Sequence, residues 1–139
     1  MCLFLFCFRG KNSGVQKIIL LAPQSLIASI RPEVEERVQN YSSSVTQAVE
    51  GMLEIVPVGI NKGTGIKAVA EAVGLDVSRC MAIGDGENDL PLFQACGMSV
   101  AMGNAVDAVK AAATVETASN DEGGVADAIY SYVIPKRIK

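Results

Sequence analysis

The sequence predicts an α/β fold in which parallel strands alternate with flanking helices. Three observations carry this. Short apolar runs of strand length, Cys80–Ile83 and Met98–Met102, each stop at a glycine, Gly84 and Gly103. Segments with helical spacing of apolar residues separate those runs, the rhythm of parallel βαβ units. Half of the 139 residues are hydrophobic but only 5% are aromatic, and there is no Trp. That favours layered helices and strands over an aromatic-rich β sandwich.

Each element follows in order. Residues 1–14 open with the greasy run MCLFLFCF and are expected to be an irregular extension or a truncation boundary. Lys17–Ala22 (KIILLA) reads as a buried strand. A helix then opens at Pro23 and Ser25, with Ile27, Ile30, Val34 and Val38 on one face and a kink or break expected at Pro32. Tyr41–Val49 reads as an exposed strand. Gly51 marks a turn, and Met52–Val58 forms the partner strand around Glu54. Residues 15–58 are thus expected to be a β-α-β-β piece, with a domain boundary at 58/59. Beyond it, Ile66, Val69, Ala70 and Val73 make a helix stripe closed by Gly74. After the Cys80–Ile83 strand come a short helix over Asn88–Cys96, the Met98–Met102 strand and an Ala-rich helix over Ala105–Ala113. Thr114 and Val115 form an edge strand. A last helix over Gly124–Ile134 carries Val125, Ile129, Tyr132 and Val133 on one face.

Composition excludes several functions. No apolar run approaches the roughly 18 to 20 residues of a membrane span. The formal charge is −3 without a basic face, against nucleic acid as a partner. The absence of histidine removes His general bases, His triads and His-ligated metals. Cys2, Cys7, Cys80 and Cys96 form no CxxC pair, so they read as buried reduced thiols of a cytoplasmic protein rather than a zinc site. Arg9, Lys11, Lys17 and Arg31 all precede the first acidic residue, Glu33, a profile that also suits an organelle transit peptide.

Two segments carry chemistry. In Met81–Phe93 (MAIGDGENDLPLF) an apolar strand runs into Gly84-Asp85, with Glu87, Asn88 and Asp89 within the next turn. Ligands gather at the carboxyl ends of parallel strands, and clustered hard oxygens without His or Cys suit Mg²⁺. The bland alternative is an acidic surface turn with Asn88 or Asp89 as a helix cap. An EF-hand fails because Leu90 stands where a glycine is needed. In Gly59–Lys67 (GINKGTGIK) a glycine-rich turn carrying Lys62 opens a helix, a setting for an anion; Lys67 reads as a solvated lysine. The Walker A spacing is absent.

Together the motifs resemble the haloacid dehalogenase-like (HAD) superfamily, in its Cof-type sugar-phosphatase branch. Asn61-Lys62-Gly63-Thr64-Gly65-Ile66 matches its lysine motif, and Gly84–Asp89 its G-D-x-x-N-D. Val100–Ala105 matches its G-V-A-M-G-N-A-like turn, and Asn120–Ala126 its last segment with one extra glycine. The likeness is strong over 58–134 and weaker over 15–57, which resemble the tail of the family's α/β cap. It implies the C-terminal part of a Rossmann-like core and a Mg²⁺-dependent phosphate-ester hydrolase working through an aspartyl-phosphate. By position, Asp85 would hold Mg²⁺. Asp89 would bind it through water or orient Asp85 and Lys62. Lys62 would pair with the phosphate and the nucleophile, and Asn88 would touch phosphate. Asn104 would contribute to phosphate binding or simply cap its helix. The implied substrate is a small phosphorylated metabolite, a sugar phosphate by the family's habit.

The family's D-x-D nucleophile motif is absent, since no D-x-D occurs in these residues. The resemblance therefore implies a C-terminal part that is inactive alone and associates through exposed core. Two alternatives stand beside it. One is a non-catalytic shortened relative that binds Mg²⁺ or phosphate. The other is a dinucleotide-binding module, with Gly63-x-Gly65-x-x-Ala68 as its fingerprint and Asp85 twenty residues after Gly65.

Overall fold

In the computed structural model, which describes residues 4–9 and 15–134, the first apolar run forms a strand rather than an irregular extension. Strand β1 (Phe4–Arg9) pairs antiparallel with β2 (Val15–Leu21), with Phe4 opposite Leu21 and Phe6 opposite Ile19. Aromatic and apolar residues in succession suit a strand, and β2 offers a free edge for them to pair with. The remaining residues of 1–14 lie outside the described set. The chain divides into two compact units after Ile60, two residues beyond the boundary read from sequence.

The first unit is an antiparallel sheet in the order β1-β2-β4-β3, with β3 at Ser43–Thr46 and β4 at Met52–Pro57. Helix α1 (Gln24–Gln39) packs on β3 and β4, and its Ile27 and Leu53 of β4 are fully buried. Of the kink or break expected at Pro32, the break does not occur: the helix continues through the proline. Pro removes one backbone donor but does not forbid a helix that packing and side-chain pairs support. Arg31 donates to Glu35 at 2.6 Å, an i,i+4 pair that spans the proline, and Arg37 donates to Glu33 at 2.7 Å, a second such pair that follows it. Gly51 turns β3 into β4 at φ +76°, and a Cβ there would lie 2.8 Å from the Ala22 carbonyl oxygen. Only glycine fits both constraints.

The second unit holds a parallel sheet in the order β5-β6-β7: Met81–Gly84, Met98–Ala101 and Val115–Glu116. Met81 lies opposite Met98, and Gly84 opposite Ala101, so β5 and β6 end side by side. Around them stand α2 (Lys62–Ala72), α3 (Leu90–Ala95), α4 (Asp107–Ala112) and α5 (Gly124–Tyr132). The core is built of small residues around one ring: Ala82, Ala101, Met102, Ala105, Val109 and Phe93. Ser99 and Thr114 satisfy one another, Thr114 N–H donating to Ser99 Oγ at 3.0 Å.

Two helix stripes differ from expectation. On α2 the buried positions are Gly63 and Ala70, while Val69 and Val73 are 58% and 62% exposed. On α5, Gly124 and Ala128 are buried, while Val125, Tyr132 and Val133 are exposed. Small residues let these helices approach their neighbours closely, so the contact falls on glycine and alanine. A Cβ on Gly63 would come within 2.2 Å of the Pro91 carbonyl oxygen, and one on Gly124 within 1.9 Å of that of Ala118. The Cys80 and Cys96 thiols are free and half-buried rather than fully buried, and burial followed by the neighbouring Cys80 pushes the Cys96 pKa up. Cys2 lies outside the described residues. No described helix is long and apolar enough to cross a membrane.

Candidate active site

Four of the five residues singled out from sequence converge at the end of β5, and the fifth reaches them from the end of β6. After Gly84 the chain turns through Asp85 and Gly86 into a 3₁₀ turn (Glu87–Asp89) that leads directly into α3. The turn folds the Asp89 carboxylate back over its own strand end. Asp89 Oδ2 accepts from the backbone N–H of Asp85 and of Gly86, each at 3.1 Å. A side chain on residue 84 would occupy the same space: a Cβ there would lie 2.5 Å from Asp89 Cβ and Cγ. Gly84 is therefore the residue that lets Asp89 close on the loop.

The other oxygen of Asp89 accepts from Lys62 Nζ, which also donates to Asn88 Oδ1 at 3.2 Å. Lys62 reaches this point from the first residue of α2. Asn61 caps that helix, taking the Thr64 N–H at 2.9 Å while Thr64 Oγ1 accepts from Asn61 N–H at 3.1 Å. This capping box uses part of the helix end's own donor capacity. The cation of the Lys62 side chain is then the group at this helix start with a partner in the loop.

Asp85 is exposed, in contrast to Asp89, which is only 4% exposed. Asp85 Oδ2 accepts from Asn104 Nδ2 at 2.9 Å, and Asn104 Oδ1 accepts from the Asn120 backbone N–H at 2.9 Å. The Asn104 side chain thus touches a carboxylate and a backbone amide. It is not the helix cap considered from sequence: Val106 precedes α4 and caps it without a side-chain bond. Neither Asn88 nor Asp89 caps α3 through its side chain.

The donor set bears on which ion could be held here. Among the described residues no three Asp, Glu, Cys or His side chains group as a closed metal cage. Asp89 has both oxygens engaged, leaving Asp85 as the exposed carboxylate. An oxygen-only set with one carboxylate fits Mg²⁺, which keeps several waters and commonly takes one or two carboxylates plus phosphate oxygens. It does not fit a zinc-type cage.

Sequence reasoning missed four parts of this arrangement. These are the glycine at 84 as a space requirement, the backbone amides on Asp89, the backbone of Asn120 and the contact between Asn104 and Asp85. The first is half legible in G-D-x-x-N-D: Gly84 and Gly86 read as residues that let the backbone turn closely, but not as the clearance that the Asp89 side chain needs at Gly84. The last two bring together residues 16 to 19 apart, and no local pattern shows them. Of the two glycines on which the dinucleotide alternative rests, Gly63 packs against Pro91 of the neighbouring helix, while the space beside Gly65 is open.

A strand-end loop of this build, on a parallel sheet with a lysine from a neighbouring helix, belongs to a known class. The chain is a member of the haloacid dehalogenase-like hydrolase family, whose model matches residues 8–129, and it lies on the Cof-type branch. Its curated relatives include the 5-amino-6-(5-phospho-D-ribitylamino)uracil phosphatase YcsE of Bacillus subtilis. The two are 40% identical over 106 residues, covering 76% of this chain and 43% of that protein. A second relative is the protein named Endoribonuclease YBEY, chloroplastic, of Arabidopsis thaliana, 43% identical over 122 residues, 87% of this chain and 21% of that one. Among solved structures, SMU.1108c from Streptococcus mutans matches with a TM-score of 0.77 and 30% identity, covering 85% of this chain and 44% of that one. A HAD subclass IIB sugar phosphatase matches with a TM-score of 0.72 and 25% identity, covering 87% and 44%. The chain therefore spans less than half the length of each of these proteins.

Proposed function

We propose that these residues form the cation- and phosphate-binding part of a phosphate-monoester hydrolase that acts on a small phosphorylated metabolite, of the sugar-phosphate class. The observation that supports this most is the joining of Lys62 to Asp89 and Asn88 at the β5 end, beside the exposed Asp85. In this reading Asp85 is the carboxylate that takes Mg²⁺. Bound Mg²⁺ would supply charge neutralisation at the phosphoryl oxygens. Asp89 orients: with one oxygen on Lys62 and the other on two amides, it fixes both the ammonium and the loop. Lys62 presents its charge to the phosphate, and Asn88 holds the lysine and reaches toward the same oxygens. Residues 15–60 serve as part of an α/β cap.

The aspartate nucleophile that the family's chemistry needs is not among these residues, so the 139-residue chain alone does not turn over. Free thiols at Cys80 and Cys96 accord with a cytoplasmic setting.

The test is a titration of the ¹⁵N-labelled chain with inorganic phosphate, with and without Mg²⁺. Phosphate should move the amide signals of Lys62 and Asn88, more strongly with Mg²⁺, and Lys62→Met should remove the response. No response in the unaltered chain overturns the reading. Hydrolysis of p-nitrophenyl phosphate should stay at background. Mg²⁺-dependent turnover abolished by Asp85→Asn would overturn the statement that the nucleophile lies outside these residues. A chain that takes phosphate but remains silent when supplied with the rest of a HAD core would instead be the non-catalytic relative.

A further inference from the structure

We propose that Asn104 is a positioning residue that sets the orientation of the Asp85 carboxylate, so that one oxygen stays available to a cation. The inference rests on Asp85 as the metal-binding carboxylate.

Three strand ends meet at this one side chain. Asp85 directly follows β5, Asn104 follows β6 after a short turn, and Asn120 lies in the segment after β7. Asn104 Nδ2 donates to Asp85 Oδ2 and Asn104 Oδ1 accepts from Asn120 N–H, both at 2.9 Å. The two ends of an amide side chain have nearly the same shape and opposite chemistry. A backbone N–H can only donate, so Asn120 requires the oxygen of Asn104 on its side. The NH₂ then has to face Asp85. A flipped amide would set N–H against N–H and oxygen against carboxylate, losing both bonds. The backbone of residue 120 therefore decides that Asn104 presents a donor to Asp85.

Asp85 needs such a device and Asp89 does not. Asp89 is buried and held at both oxygens, whereas Asp85 is exposed and its side chain is otherwise free to rotate in water. Its main chain is already held by the same turn, because Val106 N–H donates to the Asp85 carbonyl at 3.1 Å. With Oδ2 occupied by Asn104, the carboxylate offers a cation its other oxygen in a fixed direction. Groups that orient a metal-binding carboxylate usually change metal affinity 10- to 100-fold when removed. Asn104 has both ends occupied, so its part in phosphate handling, expected from sequence, runs through Asp85.

The test uses Mn²⁺ as the probe, read from broadening of the amide signals of residues 85–89 in the ¹⁵N-labelled full chain. Asn104→Ala should raise the Mn²⁺ midpoint by about tenfold. Asn104→Leu should raise it at least as much despite its similar size, because its neutral side chain cannot donate to Asp85. Asn120→Ala should leave it unchanged, because the donor there is backbone. Midpoints in both Asn104 variants equal to the unaltered chain overturn the proposal, as does a loss in Asn120→Ala equal to that in Asn104→Ala. An unaltered chain with no broadening at Asp85 overturns the metal reading of Asp85 as well, and so separates the two failures. Should the Asn104 variants not fold, the metal-free chain supplies the check. Asp85→Ala, at an exposed position, should shift the Asn104 side-chain NH₂ signals, and unmoved signals overturn the proposal.

Discussion

Each unit of this chain contains a lysine paired with a buried carboxylate, and the two pairs behave differently for reasons visible around them. In the antiparallel sheet Lys17 donates to Glu54 at 3.0 Å, with Lys17 39% and Glu54 8% exposed. In the parallel unit Lys62 pairs with Asp89, at 47% and 5%. By charge and burial the two are near equals. Glu54 sits mid-strand in β4, and among the described residues its carboxylate accepts from one lysine. Asp89 sits where a parallel strand ends, takes two backbone amides as well as its lysine, and stands next to an exposed second aspartate. A buried ion pair is thus no mark of a site. The mark is a carboxylate that organises a loop at a strand end, where backbone donors converge and solvent is within reach.

Removing each carboxylate is the sharpest way to break that comparison. Asp89→Leu leaves two loop amides and a lysine without their acceptor, and should cost about 3 kcal/mol or more. Glu54→Met leaves, among the described residues, one part-exposed lysine that water can take up, and should change stability by about 1 kcal/mol or less. Urea denaturation of the full chain measures both, and equal losses would end the distinction. Next in size is Gly84→Ala, which drives a Cβ into Asp89 and should destabilise by about 2 kcal/mol. Gly65→Ala within α2 meets open space and should stabilise by about 0.5–1 kcal/mol.

The exposed apolar residues Val69, Val73 and Leu75 predict that the purified chain self-associates. Val73→Lys should shift it toward monomer in sedimentation velocity, and an unaltered chain that is monomeric at high concentration would refute this.

The smallest effect concerns pH. The Ser119 hydroxyl, then its backbone N–H, hold the Glu122 carboxyl below the ordinary carboxylate value. A depressed carboxyl contributes stability that is present above the ordinary value of about 4.3 and lost as pH falls through the depressed one. The protection of the Asn120–Glu122 turn amides, as exchange rate relative to the intrinsic rate at the same pH, should therefore fall in that acidic window and not above it, and Glu122→Gln should remove the step.

Much of the site was legible because its residues are close in sequence. Gly84, Asp85, Asn88 and Asp89 fall within six positions, and a strand–glycine–aspartate run has few structural uses. Lys62 was legible as a lysine in a glycine-rich helix start. The contact of Asn104 with Asp85 and the pairing of Lys17 with Glu54 were not, since each joins residues brought together only by strand neighbours. The lone charge in MLEIVPV and the lysine heading KIILLA were the sole hints of the second.

The sequence by itself determined the order of strands and helices, the parallel character of the second unit and the loop that carries the acidic residues. Periodicity and turn chemistry are local properties, and they record where an element starts, stops and is apolar. Tertiary structure decided which apolar faces are covered. Gly63 and Ala70 of α2 lie inward while Val69 and Val73 face out, because close approach of α3 admits only small residues there. It decided that β1 forms, since a strand needs an edge to join, and that α1 continues through Pro32. It also decided the roles of two carboxylates four residues apart. Asp89 is folded under the loop and spent on holding it, whereas Asp85 is left in solvent with one oxygen pinned by an amide whose polarity is set by a backbone N–H thirty-five residues further along the chain.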